Sequence, residues 1–295
     1  MMTKALERAE ILIEALPYIK EFAGKTIVVK YGGNAMINEE LKAKVIQDIV
    51  LMKHVGIKVV VVHGGGPEIT AMMKLMGKVP EFVHGLRVTD QETMGIAEMV
   101  LLGKLNPEIV ALINYYGGRA VGLSGKDGGM IKATKSLVSK VIDGQTQTFD
   151  IGFVGDVLKV DPGIITTVCD AGYIPVIAPI GVGEQNERYN INADYMAGDI
   201  AGALNADKLL MLTDVEGIFR DYTNKSTLIS SVAVTEVKAL IEQEIISGGM
   251  IPKVLACVNA IEKGVPKVNI IDGRTPHSIL LELFTKQGIG TEIVS

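Results

Sequence analysis

Four consecutive valines, Val59 to Val62, run directly into His63, three glycines and Pro67. An unbroken β-branched run of this kind suits a strand covered on both faces, since a strand with one wet face would alternate with polar residues. Three successive glycines cost conformational entropy and a plain turn needs only one, so the stretch implies close approach to the backbone itself. A second β-branched run, Thr26 to Lys30, comes before it, and a helical pattern from about Glu39 to Val55 separates the two. Strand, helix and strand in that order predict a βαβ unit and hence a parallel sheet.

Ahead of this unit, Leu6, Ala9, Ile13, Leu16 and Tyr18 or Ile19 recur at near-helical spacing before Gly24, which predicts an amphipathic helix. Further helices are expected near 67–76, 90–103, 106–115, 192–204, 235–242, 252–263 and 277–284. Strands are expected near 120–123, 173–178, 208–213, 267–271 and 290–294. Between Met130 and Val160, β-branched and aromatic residues alternate with Asp and Gly around Asp143-Gly144 and Val154-Gly155, the pattern of β-hairpins. The expected architecture is α/β, a three-layer αβα sandwich on a central, mainly parallel open sheet with a β-hairpin insertion. No Ser/Pro-rich linker interrupts it, so one domain is expected over 24–295, with a waist near Ile180 dividing about 24–179 from about 180–295, and residues 1–23 as a preceding helix.

The bulk properties exclude several function classes. At 295 residues and 48% hydrophobic content the chain can bury a core without disulfides or metal. Net charge is −5, and the 29 Lys and Arg are scattered, which argues against nucleic acid or an anionic membrane as partner. Cys169 and Cys257 stand apart with no CxxC or His cluster near them, and no apolar run is long enough to span a bilayer. A reducing cytoplasm is the expected location, with no dedicated metal site.

In an open parallel sheet, ligands collect beyond the carboxyl ends of the strands, where helix N-termini present free amides. Three motifs fall there. Lys30-Tyr31-Gly32-Gly33 puts a lysine at the end of a strand, either snorkelling to solvent or held at phosphate distance with Gly32 and Gly33 allowing backbone approach. His63-Gly64-Gly65-Gly66 offers the Gly65 and Gly66 amides as an anion nest; it is not a Walker A motif, and His63 suits packing or hydrogen bonding better than base catalysis. Asn190-Ile191-Asn192-Ala193-Asp194 opens a helix, with Asn192 as cap and Asp194 favouring the dipole, or with Asp194 facing a site.

Taken with VVKYGGNAM (Val28 to Met36) and VHGGGPEI (Val62 to Ile69), the segments HGLRVTD (His84 to Asp90), YNINADYMAGDIA (Tyr189 to Ala201), LMLTDVEGI (Leu210 to Ile218) and GGMIPKV (Gly248 to Val254) resemble the amino-acid kinase family in order and spacing. HGLRVTD and GGMIPKV resemble its N-acetylglutamate kinase branch in particular.

The resemblance implies catalytic lysines at Lys30 and Lys253 with Asp194 orienting both. It also implies substrate contacts at Gly65, Gly66, Arg87 and Asn190, and nucleotide contacts at Gly32, Gly33, Thr213, Asp214, Gly217 and Lys253, with ATP and Mg2+ arriving together. Phosphoryl transfer to a carboxylate fits this set, because spread negative charge must be balanced and no general base is needed for an acceptor already ionised. Arg87 suits a carboxylate through its bidentate fork; its plain alternative is a surface ion pair with Asp90 or Glu92.

The N-terminal helix and the ending HSILLELFTKQGIGTEI (His277 to Ile293) resemble arginine-inhibited members of the branch. This implies a hexamer built as a trimer of dimers through the N-terminal helices and L-arginine bound near Tyr18, His277, Glu282 and Gly288; a PII-type regulator is an added partner that the sequence leaves open. Glu292 stands where related sequences often carry Met. Two other readings share the fold: a kinase for N-acetyl-aminoadipate, one methylene longer than N-acetyl-L-glutamate, and a non-catalytic amino-acid sensor.

Overall fold

The computed structural model describes every residue except Met1, Ile37, His84, Asp143, Gly144 and Gln287. The Asp143-Gly144 turn and His84 of the HGLRVTD segment thus lie outside the described residues.

Eight strands form the central sheet, in the order Ser231–Ala233, Thr291–Val294, Lys267–Asp272, Lys208–Thr213, Thr26–Tyr31, Lys58–His63, Ile174–Ala178 and Ala120–Ser124. Thr291–Val294 is antiparallel to Lys267–Asp272 and Ser231–Ala233 follows it, while the other six strands are mutually parallel. The unbroken apolar runs have their explanation here. Ile27 and Val29 enter one core and Val28 the other; Val59 and Val61 part from Val60 and Val62 in the same way, as do Leu210 and Leu212 from Leu209 and Met211. Alternate side chains therefore serve two separate cores, and neither face is wet. Helices Glu39–His54, Gly66–Leu75, Gln91–Val100, Asn106–Tyr115 and Ser278–Phe284 cover the first core; Gly163–Asp170, Ala193–Ala203, Val234–Glu242 and Met250–Glu262 cover the second. The three-layer α/β architecture follows.

Four features depart from the sequence reading, the first being the short edge strand Ser231–Ala233, which was not anticipated. The helix Gly163–Asp170 was not anticipated; Gly163 and a run of β-branched residues conceal it. The two helices expected near 90–103 and 106–115 are joined without a break, because Leu101–Leu105 forms a π-helical turn in which the Asn106 N–H reaches back to the Leu101 carbonyl. Pro107 supplies a reason, since it has no N–H for the Gly103 carbonyl and its ring would press on it in a regular α-helix. Finally, the hairpin strands Ile131–Ile142 and Gln145–Val160 do not stand alone: with Ile180–Val182 and Arg188–Ile191 they close a small four-stranded barrel. The pairing Asn190 with Val154 ties the barrel to the residues before Asp194.

The first helix, Met2–Phe22, carries Pro17 within it. Its residues Leu12 and Ile13 are about 70% exposed, at 70% and 69%.

Candidate active site

Lys30 is the penultimate residue of Thr26–Tyr31, in register with Val62 on one side and Met211 on the other. Flanked by buried strands, its ammonium group has one outlet, the carboxyl edge of the sheet. Asp194 meets it there from the first turn of Ala193–Ala203, a helix capped by Asn192, whose Oδ1 accepts from the Asp194 N–H at 2.8 Å. Capping and site geometry therefore coexist: the cap fixes the turn from which the carboxylate projects. Lys30 Nζ lies 2.8 Å from Asp194 Oδ1, and Lys253 Nζ lies 3.8 Å from Oδ2. The closer contact is an ion pair off the hydrogen-bond direction at Oδ1. Burial by itself would push the Asp194 carboxyl up, but Lys30 and Lys253 outweigh it and hold the group below its ordinary value.

Lys253 comes from the first turn of Met250–Glu262. That helix reaches Asp194 because it lies tight against Ala193–Ala203: a Cβ at Gly198 would come 3.1 Å from the Ala260 Cβ. Two helix N-termini and two lysines thus converge on one carboxylate, an arrangement that favours a polyanion between them.

A cavity of about 210 Å³ opens on the Lys30 side, lined by Gly64 to Gly66, Arg87, Asn190 and Asp194 among others. The Arg87 guanidinium is buried there, donating from Nη2 to the Gly66 carbonyl and the Thr70 hydroxyl, both at 2.8 Å, and standing 4.7 Å above the Phe82 ring. Asp90 and Glu92 pair with Lys78 instead, and among the described residues no carboxylate reaches Arg87 within ion-pair distance. A buried cation so placed is matched to an anion from outside.

A second cavity, of about 480 Å³, opens on the Lys253 side and is lined by Gly217, Phe219, Tyr222, Ile245 and Met250 with Lys253. Sequence reasoning placed Gly217 here and overlooked the apolar and aromatic wall, although Ile218, Phe219 and Tyr222 directly follow the TDVEG segment. Gly32, Gly33, Thr213 and Asp214 line neither of these two cavities. A Cβ on Gly33, whose φ is +71°, would fall 2.5 Å from Asp214 Oδ1, so only glycine lets the backbone pass there. The Gly32 Cβ position is 2.6 Å from Lys30 Nζ. Thr213 is buried with its hydroxyl turned inward to Val215 and Ile271, tying the strand end down.

Residues 25–272 match the amino acid kinase family. The chain belongs to the amino acid kinase family. Among relatives of this kinase, the acetylglutamate kinase of Heliobacterium modesticaldum is 60% identical over 294 residues, covering 99% of this chain and 100% of that protein. Among solved structures, N-acetylglutamate synthase of Neisseria gonorrhoeae with coenzyme A and N-acetyl-glutamate aligns at a TM-score of 0.82 and 29% identity, over 97% of this chain and 63% of that one. The same synthase with coenzyme A and L-arginine aligns at 0.79 and 27%, over 97% and 65%. This kinase therefore spans about two thirds of the synthase's length.

Away from the sheet edge that carries Lys30, a third cavity of about 460 Å³ is lined by Tyr18, Lys208, Glu282, Gly288 and Glu292 among others. Lys208 Nζ stands 3.3 Å from both Glu282 and Glu292, and the Glu282 carboxylate also accepts from Asn269 and from the Ile289 N–H. His277 is not among the lining residues. Its Nδ1 instead lies 2.6 Å from the Asp48 carboxylate, which is wholly buried beneath the start of helix Ser278–Phe284. Among the described residues no His/Cys/Asp/Glu cluster could hold a metal ion, and no helix is long and apolar enough to cross a membrane.

Proposed function

We propose that this kinase transfers the γ-phosphoryl group of ATP to the side-chain carboxylate of N-acetyl-L-glutamate, forming the acyl phosphate and ADP, as a cytoplasmic step of arginine biosynthesis. The observation that carries the reading is the Asp194 carboxylate shared by Lys30, which with Asp194 lines one cavity, and Lys253, which lines the other. On one side the acceptor's α-carboxylate lies against Arg87 and Asn190, and its reacting carboxylate against Lys30 and the Gly65 and Gly66 amides. On the other, the nucleotide base lies against Phe219, Tyr222 and Met250, with its phosphates running past Gly217 to Lys253 and the Gly32–Gly33 backbone, near Thr213 and Asp214. Mg2+ enters with ATP as part of the substrate.

The acceptor carboxylate is ionised near neutral pH, so its oxygen attacks the γ-phosphorus directly while the bond to the ADP oxygen breaks. Lys30 and Lys253 balance the charge that spreads over the transferred group, and Asp194 holds both ammonium groups in place. The acetylglutamate kinase relatives support N-acetyl-L-glutamate over its one-methylene-longer homologue.

The third cavity supports feedback inhibition by L-arginine: Glu282 and Glu292 suit a guanidinium and Lys208 a carboxylate. Tyr18 and Gly288 contribute walls, and His277 acts at one remove by anchoring the helix that carries Glu282. The arginine-bound synthase supports this reading. Residues 1–23 serve as an oligomerisation helix beside the domain 24–295, whose halves carry acceptor and ATP. The exposed Leu12 and Ile13 support helix pairing into a hexamer, and a PII-type regulator is compatible with this assembly.

The test is trapping of acyl phosphate with hydroxylamine, using ATP, Mg2+ and either acceptor, with and without millimolar L-arginine. Turnover of N-acetyl-L-glutamate that falls with arginine is expected. Folded, ATP-binding protein that phosphorylates neither acceptor would refute the assignment in favour of a sensor.

A further inference from the structure

His63 ends the strand Lys58–His63, is fully buried and lines neither the acceptor nor the nucleotide cavity. Its Nδ1 lies 2.7 Å from the Gly64 carbonyl oxygen, and its Nε2 lies 3.2 Å from the Asn106 Nδ2. A carbonyl oxygen only accepts, so Nδ1 carries the proton and Nε2 is the acceptor. The orientation of Asn106 follows independently, because the same Nδ2 stands 2.8 Å from the Val176 carbonyl oxygen, where only a donor fits. A proton on Nε2 would face the Asn106 amide hydrogens, and burial pushes the His63 imidazole down to about 4, so the ring stays neutral.

The consequence lies on the other side of one peptide bond. The Gly64 carbonyl and the Gly65 N–H share a planar trans unit and point in opposite directions, so fixing the carbonyl towards His63 fixes the N–H away from it. Gly64 to Gly66 line the acceptor cavity. The same π-helical turn that delivers Asn106 closes the space behind: a Cβ on Gly65 would fall 2.6 Å from both Leu101 Cδ2 and Leu105 Cδ1. One widened turn therefore supplies both the wall behind the glycines and the hydrogen-bond donor that sets the histidine.

We propose that Asn106 and His63 form a positioning couple that holds the Gly64 peptide so that the Gly65 amide faces the acceptor's reacting carboxylate. This rests on the reading of Gly65 and Gly66 as acceptor contacts. Neither side chain touches substrate; both act through the backbone.

The test compares His63→Phe, which fills the space without a donor, with His63→Asn, whose amide nitrogen takes the place of Nδ1 and can donate to Gly64. In His63→Phe the KM for N-acetyl-L-glutamate is expected to rise about tenfold with the KM for ATP unchanged, and His63→Asn is expected to recover most of the loss. A packing role predicts the reverse ranking, because Phe is the better filler, and that ranking would overturn the proposal. Imidazole 15N NMR of the wild-type chain gives a readout that survives a failure of either variant to fold. A bare Nε2 from about pH 8 to about pH 5 supports the couple, and a proton on Nε2 overturns it. An active wild type whose acceptor KM is unmoved by His63→Phe sinks the couple alone; a wild type inactive on this acceptor sinks the substrate reading and the couple with it.

Discussion

Lys30 Nζ lies 2.8 Å from Asp194 Oδ1, so a cation at the end of a buried strand is balanced by an anion at the start of a helix that follows more than 160 residues later. The pair joins the two stretches of chain proposed to carry acceptor and nucleotide. The other oxygen of the same carboxylate faces Lys253 at 3.8 Å, which makes Asp194 the hinge of the site's electrostatics.

Replacing either lysine separates chemistry from stability. Lys30→Ala and Lys253→Ala are each expected to lower kcat by at least about a hundredfold, the scale for removing a group that balances transition-state charge. Their melting temperatures should differ. The Lys30 side chain is 9% exposed, and its loss leaves Asp194 with one distant cation, a cost of about 3 kcal/mol; the Lys253 side chain is 31% exposed and farther away, so its loss costs less. Equal falls in melting temperature, or activity that tracks stability in both, would contradict the roles assigned here.

Asp194→Asn tests the same cluster by pH. The folded carboxyl is held below its unfolded value of about 3.9. Its contribution to stability is therefore present above that value and lost as pH falls through the depressed folded one. Thermal melts of the wild type should show a steeper loss below about pH 4 than those of Asp194→Asn. Parallel acid limbs would mean that the carboxylate is not stabilised by the two lysines.

Tyr222 meets Phe219 edge-on, with ring centroids 5.6 Å apart, on the wall of the cavity proposed for the nucleotide. Loss of an aromatic surface under a nucleobase is worth about 1 to 3 kcal/mol. Tyr222→Ala should then raise the KM for ATP by about tenfold and leave that for the acceptor unchanged. Steady-state kinetics with each substrate varied in turn decides this; a shift confined to the acceptor would misplace the base.

Glu292 faces the third cavity, held 3.3 Å from Lys208 and 3.6 Å from Lys267. A carboxylate in that position adds attraction for a guanidinium. Glu292→Met is expected to weaken L-arginine inhibition several-fold, about 1 kcal/mol for a partly exposed charge, while kcat without arginine stays the same. Inhibition titrations and arginine-induced shifts in melting temperature report it together. Tighter inhibition in the variant would show that Glu292 competes for Lys208 with the ligand's own carboxylate.

The inner strands of the main sheet were legible because they are wrapped on both sides, and a run such as Val59 to Val62 has no other comfortable environment; the short, partly exposed edge strand Ser231–Ala233 was not. The glycines and charged residues at their carboxyl ends were legible for a related reason: lysine, arginine and aspartate are costly beside buried strands unless something answers them, and consecutive glycines are costly unless the backbone is approached. Motif order supplied the family and with it Arg87, and local chemistry supplied Lys30 and Asp194 as candidates.

What the chain alone could not reveal was set by pairings between distant segments. Local alternation predicted a hairpin between Met130 and Val160, but its closure into a barrel with Ile180–Val182 and Arg188–Ile191 depends on edges that meet only after folding. His277 looked suited to an effector site by position, yet its ring rests on Asp48, 229 residues away, where that carboxylate is pushed up to about 6 by burial. Asn106 gave no signal beyond a helix start, because its hydrogen bonds to His63 and the Val176 carbonyl join three separate elements. Hydrophobic periodicity and glycine placement are local properties, and the sequence by itself determined most strands of the sheet, most of its covering helices and the polar ends of those strands. Which side chains finally meet, and so which are partnered and which face a ligand, only the tertiary structure decided, because hydrogen bonds and ion pairs act over a few ångströms between atoms that the chain brings together last.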